Sequence, residues 1–136
     1  LSDQRFLSDS YYGCKGATFI DRGAWLKVQS PVSHIYRTEA CGDDLRYRFQ
    51  LPDDNYTLTL HFAETYGQIR IPGLRQFTVK VGSLPTSDLI DPVALAGGWG
   101  KAYILNFKDV RPANGFLDIA FSEGSEINGI EIAIKK

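Results

Sequence analysis

Alternation with a period of two residues runs through most of this chain. Leu45, Tyr47, Phe49 and Leu51 are apolar, while Arg46, Arg48 and Gln50 between them are polar. That period sends alternate side chains to opposite faces of a strand, so one face is dry and the other wet. Pro52-Asp53-Asp54-Asn55 follows with turn chemistry, Pro setting φ and Asp and Asn tolerating a tight backbone. The pattern returns through Tyr56, Leu58, Leu60 and Phe62, with Thr57, Thr59 and His61 on the other face. Together the two runs predict a β-hairpin with His61 at the surface. Phe77, Val79 and Val81 predict a strand closed by Gly82. Three more strands are expected at Tyr103, Leu105 and Phe107, at Leu117, Ile119 and Phe121, and at Ile130, Ile132 and Ile134. A Pro112-Ala113-Asn114-Gly115 turn precedes the second of these. Segments 17–20 and 25–28 are further candidates. The expected core is Leu58, Leu60, Phe62, Val79, Ile119, Phe121 and Ile132.

No segment keeps a 3.6-residue period, and 92–96 has room for one helical turn at most. Many short strands separated by Gly, Pro, Asn and Asp turns predict an all-β fold, an antiparallel sandwich or jelly roll.

Composition narrows the function classes. The 136 residues fit one domain, 1–136, large enough to bury a core. A hydrophobic share of 43% with 23% charged residues is ordinary for a folded domain. Net charge of -1 lacks the basic excess of a nucleic-acid surface, so no nucleic acid is expected as a partner. No apolar run approaches the roughly 18 residues of a membrane span, so no membrane insertion is expected. The chain starts at Leu1 and contains no Met, which suits a module cut from a larger protein with covalently linked neighbours. Cys14 and Cys41 lack metal-site spacing; a single Cys14–Cys41 bridge and two reduced thiols remain open. With no nucleophile–base set, metal cluster or paired-acid motif, neither a cofactor nor catalysis is expected.

Candidate chemistry sits in three blocks at strand ends. They are Tyr36-Arg37-Thr38-Glu39, then Phe62-Ala63-Glu64-Thr65-Tyr66, then Ile127-Asn128-Gly129-Ile130-Glu131. With Tyr12-Gly13 before them and Phe77-Thr78-Val79 between, their order resembles the malectin family, including the malectin-type modules of bacterial glycosidases and the ectodomains of plant receptors. The resemblance covers about nine-tenths of the chain. It implies a jelly-roll β-sandwich of galactose-binding-like type that binds glucose-type disaccharides through loops at one end. Tyr12 and Tyr66 match two of the family's site tyrosines, and Glu123 falls near its site aspartate. Cys41 and Gly67 take the places of a third tyrosine and a phenylalanine, so two ring faces are missing. The family also opens with a strand that would lie upstream of Leu1. The implied setting is extracellular, periplasmic or the secretory pathway. The implied role is non-catalytic binding of a gluco- or galacto-configured carbohydrate, targeting an attached glycoside hydrolase. A protein-binding or adhesion module of a cell-surface protein is the alternative.

Physical chemistry supports these residue types independently. A sugar ring has an apolar C–H face and a belt of hydroxyls; an aromatic ring supplies a rigid platform, and Tyr adds a polar tip. A carboxylate accepts charge-assisted bonds from vicinal hydroxyls. Tyr12, Tyr66, Trp99 and Glu123 can supply these parts, with Tyr11 as a substitute ring. Each also has a plainer role. Tyr66 can pack at a strand end and Trp99 can cap the core. Glu39 and Glu64 are expected to hold loop N–H groups, with Arg37 as their ion-pair partner. Asn55-Tyr56-Thr57 reads as an N-glycosylation sequon or as simple turn chemistry.

Overall fold

All three sheets contribute residues to one core. The computed structural model describes residues 18–21, 28 and 33–135. Tyr11, Tyr12 and Cys14 lie outside these residues, as does all of the candidate strand 25–28 except Val28. Among the described residues the strands are β1 (Thr18–Asp21), β2 (Thr38–Gly42), β3 (Arg46–Gln50), β4 (Tyr56–Ala63) and β5 (Val79–Val81). A single helical turn follows, α1 (Pro92–Ala96), and then β6 (Ala102–Val110), β7 (Phe116–Phe121), β8 (Ser125–Ile127) and β9 (Gly129–Ile134). A 3-10 turn, Ser33–Arg37, precedes β2. The sheets run β1-β2-β8, β3-β7-β5 and β6-β4-β9, and the paired strands are antiparallel throughout.

The alternation correctly marks the strands but not their pairing. β3 and β4 do not form the expected hairpin: β3 pairs with β7, matching Tyr47 to Ile119, while β4 lies between β6 and β9. The segment 51–55 therefore carries the chain from one sheet to the other. Both sheets turn their apolar faces inward, so Leu58, Leu60 and Phe62 meet Tyr47, Val79, Val81, Ile119 and Phe121 in one core. Phe62 and Phe121 make an edge contact across it at 6.5 Å. Six of the seven expected core residues are buried, and half-buried Ile132 packs against them. The fold is an antiparallel jelly-roll β-sandwich.

Local chemistry sets the turns. Asn114 and Gly115 both have positive φ, 54° and 84°, as a tight primed turn requires, and Ala113 bridges to Phe116 across it. Asp91 caps α1, accepting from the Ala94 N–H through Oδ1 at 3.1 Å. Its Oδ2 accepts from the Gly73 N–H at 2.6 Å, which ties loop 66–76 to the start of the helix. Phe77 sits just before β5 and bridges to Ile90. Strand β8 was not signalled by alternation, because all three of its residues are buried.

Leu60 is fully enclosed between its neighbours on β4 and the opposite sheet. Leu60→Ala is expected to cost about 2–5 kcal/mol. Urea unfolding checks this, and a variant as stable as the parent would contradict the core described here.

Candidate functional site

Strand β4 delivers its last residues into a polar knot. Glu64, next after β4, has no exposed surface. Its Oε1 accepts from the Tyr66 N–H at 3.2 Å and its Oε2 accepts from Arg75 Nε. Arg75 Nη1 donates to the Gly124 carbonyl at 3.1 Å, joining loop 66–76 to the turn between β7 and β8. Thr65 Oγ1 donates to Glu39 Oε1 at 3.3 Å. Trp99 Nε1 donates to the Tyr66 carbonyl at 2.9 Å, and the Gly100 N–H donates to the Glu64 carbonyl at 2.9 Å. The backbone carrying Tyr66 is thus held from both sides.

The Ile127-Asn128-Gly129 block does the same work from behind. Asn128 accepts from the Ala63 N–H through Oδ1 at 2.8 Å and donates through Nδ2 to the Thr38 carbonyl at 2.9 Å. One side chain therefore fixes the end of β4 against the start of β2.

Strand β2 supplies the opposite wall. Its two-residue period puts Ala40 into the core and Glu39 and Cys41 on the other face, with Ile20 of β1 paired to Glu39. Glu39, Cys41, Ile20, Tyr66 and Arg75 line a shallow depression of about 160 Å³. Tyr66, 41% exposed, is the most open of these lining residues.

The depression has an acidic backing. Glu126 of β8 lies opposite Cys41 in the β2–β8 register. It is fully buried, and among the described residues neither of its carboxyl oxygens has a hydrogen-bond partner. The nearby Ala63 N–H is already committed to Asn128. Burial first, and then the charges of Glu39 and Glu64, push Glu126 well above the usual carboxylate range; Arg75 and the Ala63 N–H pull weakly the other way. Burial also raises Glu64, against the opposing pull of Arg75. Burial disfavours the Arg75 cation, yet its acidic neighbours, Glu64 foremost, leave it raised overall.

Of the candidate residues, Tyr66 and Cys41 come together at the depression. Trp99 is not part of its lining. It packs against a second apolar cluster of Val28, Ile35, Tyr36 and Ala63, and the Arg70 guanidinium covers its ring at 4.0 Å. Glu123 is exposed in the β7–β8 turn, one residue from the carbonyl that holds Arg75, and does not line the depression either. Tyr11, Tyr12 and the Cys14 half of the candidate bridge lie outside the described residues. Glu64 does hold a loop N–H, but its cation is Arg75 and not Arg37.

His61 is not a surface residue. It is 3% exposed, with Nδ1 2.9 Å from Tyr36 Oη and Nε2 2.5 Å from Glu131 Oε2. The 3-10 turn brings Tyr36 over the sheet face that alternation assigns to solvent. Arg75 and the lining role of Glu39 are what the sequence reading missed. The usable signal was a demand: a carboxylate at a buried strand end needs a cation, and loop 66–76 contains two arginines. Among the described residues no group of His, Cys, Asp or Glu is arranged to hold a metal, and no helix is long and apolar enough to cross a membrane.

No curated protein matches the chain. Solved structures do. The ANXUR1 extracellular domain from Arabidopsis thaliana superposes with a TM-score of 0.73 at 18% identity, over 89% of this chain and 39% of that one. β-Glucuronidase 2 of Bacteroides uniformis gives 0.71 at 19% identity, over 98% of this chain and 15% of that one. A plant complex of the peptide RALF23 with FER and LLG2 gives 0.68 at 20% identity, over 85% of this chain and 38% of that one. At these identities the likeness is one of fold, and the chain spans well under half of each. The Malectin domain family model, however, matches residues 4–135, nearly the whole length. The chain therefore belongs to the Malectin domain family.

Proposed function

We propose that this domain is a non-catalytic carbohydrate-binding module, outside the cell or in the secretory pathway, within a larger protein such as a glycoside hydrolase. The observation that carries this reading is the depression in which an exposed tyrosine ring, Tyr66, stands beside a carboxylate and a guanidinium. A gluco- or galacto-configured sugar would lay its C–H face on Tyr66 and its hydroxyls on the polar wall, with Cys41 against its edge. Glu123 is proposed to add a carboxylate contact, and Tyr11 and Tyr12 further ring contacts. Hydrolysis needs two acids open to one cleft, about 5–10 Å apart. Among the described residues Glu64 and Glu126 are sealed, and Glu39 is the one acid that lines the depression. Purified chain should hydrolyse no glycoside.

A site with so few rings should be weak, with Kd between about micromolar and millimolar. Tyr66→Ala should lower affinity roughly ten-fold while the fold survives, since stacking adds about 1 kcal/mol beyond area burial. NMR titration with gluco- and galacto-oligosaccharides reads both quantities. Shifts confined to a sheet face or to the far end of the sandwich would refute the placement.

A second reading, a protein-binding module, draws on loop 66–76. Ile71 and Leu74 there are 61% and 56% exposed on a loop that Asp91 ties to the start of α1. The same titration separates the two, because a protein-binding module would leave every sugar without effect.

A further inference from the structure

Asn55-Tyr56-Thr57 is the one Asn-x-Ser/Thr triplet in the 136 residues, and it has no part in the depression. It closes segment 51–55 and opens β4. Plain turn chemistry does not account for its asparagine. Asn suits turns because it tolerates positive φ or bonds the backbone through its own side chain. Among the described non-glycine residues positive φ belongs to Asp109 and Asn114, not to Asn55. The backbone here is held by neighbours instead. Asp54 Oδ1 accepts from the Asn55 N–H at 2.7 Å, and Tyr56 Oη donates to the Pro52 carbonyl at 2.8 Å. The Asn55 side chain makes one bond among the described residues, its Oδ1 accepting from Arg111 Nη1 at 3.1 Å. That bond is exposed, and Arg111 is also held by Asp53 at 2.9 Å.

A guanidinium donor fixes which end of the amide faces it. With Oδ1 turned to Arg111, Nδ2 points the other way. It donates to nothing among the described residues and is not one of their enclosed polar atoms. Pro52, Asp53 and Asp54 beside it are exposed, which leaves room for a bulky polar group. We propose that Asn55 Nδ2 is an N-glycan acceptor, modified when the chain passes through a secretory pathway that carries an oligosaccharyl transferase. In the transfer Nδ2 attacks C1 of an oligosaccharide carried on a lipid diphosphate. The Nδ2–C1 bond forms, the C1–O bond breaks with its electrons leaving on the diphosphate, and Nδ2 gives one proton to the transferase. One Nδ2 hydrogen is replaced, so Oδ1 stays available to Arg111. Strand β4 is eight residues long, which puts the attachment point about 25 Å from Glu64, at the end of the sandwich away from the depression.

The proposal rests on the secretory setting proposed above and not on the sugar site. The test supplies that setting, so a negative result falls on Asn55 and not on the native location of the chain. The chain is secreted from eukaryotic cells behind a leader peptide and weighed intact. It should exceed the polypeptide mass by one glycan. Release by an N-glycan amidase in heavy-oxygen water should mark a single residue, Asn55, in the peptide map. Asn55→Gln and Thr57→Ala should each remove the glycan, while Thr57→Ser, which keeps the hydroxyl, should retain it. The parent's map decides the matter even where a variant is poorly secreted. Secreted parent at its unmodified mass, or a glycan that survives Asn55→Gln, would overturn the proposal. In the isotope-labelled glycoprotein, trimming the glycan to one sugar should move amide resonances of 52–57 and Arg111. Movement at Tyr66 or Arg75 would overturn the placement of the glycan away from the depression.

Discussion

Replacing Arg75 with methionine should lower folding stability by about 3–5 kcal/mol. The Arg75 side chain is 13% exposed and the Glu64 side chain 0%, so solvent screening, which makes surface pairs nearly worthless, does not apply. Methionine fills the aliphatic part of the space but leaves Glu64 enclosed with no cation, and the Gly124 carbonyl loses a donor. Most of the cost should vanish when Glu64→Gln is combined with Arg75→Met. Glutamine is uncharged and still offers an oxygen to the Tyr66 N–H. A double-mutant cycle in urea gives the coupling directly. A single Arg75→Met variant within about 0.5 kcal/mol of the parent would show that this ion pair does not organise the loop carrying Tyr66.

The sequence made the strands legible because the period of two has a direct physical cause, one wet face and one dry face. It could not make pairing legible. Leu45–Leu51 alternation looks the same whether segment 51–55 reverses within a sheet or crosses to the opposite one, since both place the apolar set in the same core. His61 fails for a related reason. Alternation assigns a face to the sheet, but Tyr36 covers that face locally and makes it interior. β8 carries no alternation because Ser125, Glu126 and Ile127 are all enclosed. At the site, Tyr66 and Cys41 were reached through the family resemblance, which fixes positions along the chain. Arg75 has no periodic signature and lies 11 residues from Glu64 in a loop, so only the three-dimensional closure of that loop brings them together.

Glu126 should leave the largest mark on the pH dependence of stability. Burial holds its carboxyl well above the ordinary value of 4.5 that the unfolded chain keeps. As pH rises past 4.5, the unfolded chain releases this proton while the folded chain retains it. The unfolded state then binds fewer protons, so stability falls with rising pH until the raised folded value is passed. The contribution is thus complete below about pH 4.5 and is lost at about 1.4 kcal/mol per pH unit above it. Glu64 is shifted in the same direction and adds to the slope. Glu126→Gln is close in shape and cannot ionise, so its stability relative to the parent should climb by about 1.4 kcal/mol per unit between pH 4.5 and the folded value. Urea unfolding of both proteins between pH 4.5 and 8 measures the difference. Parallel curves would mean that burial does not raise Glu126 in the folded chain.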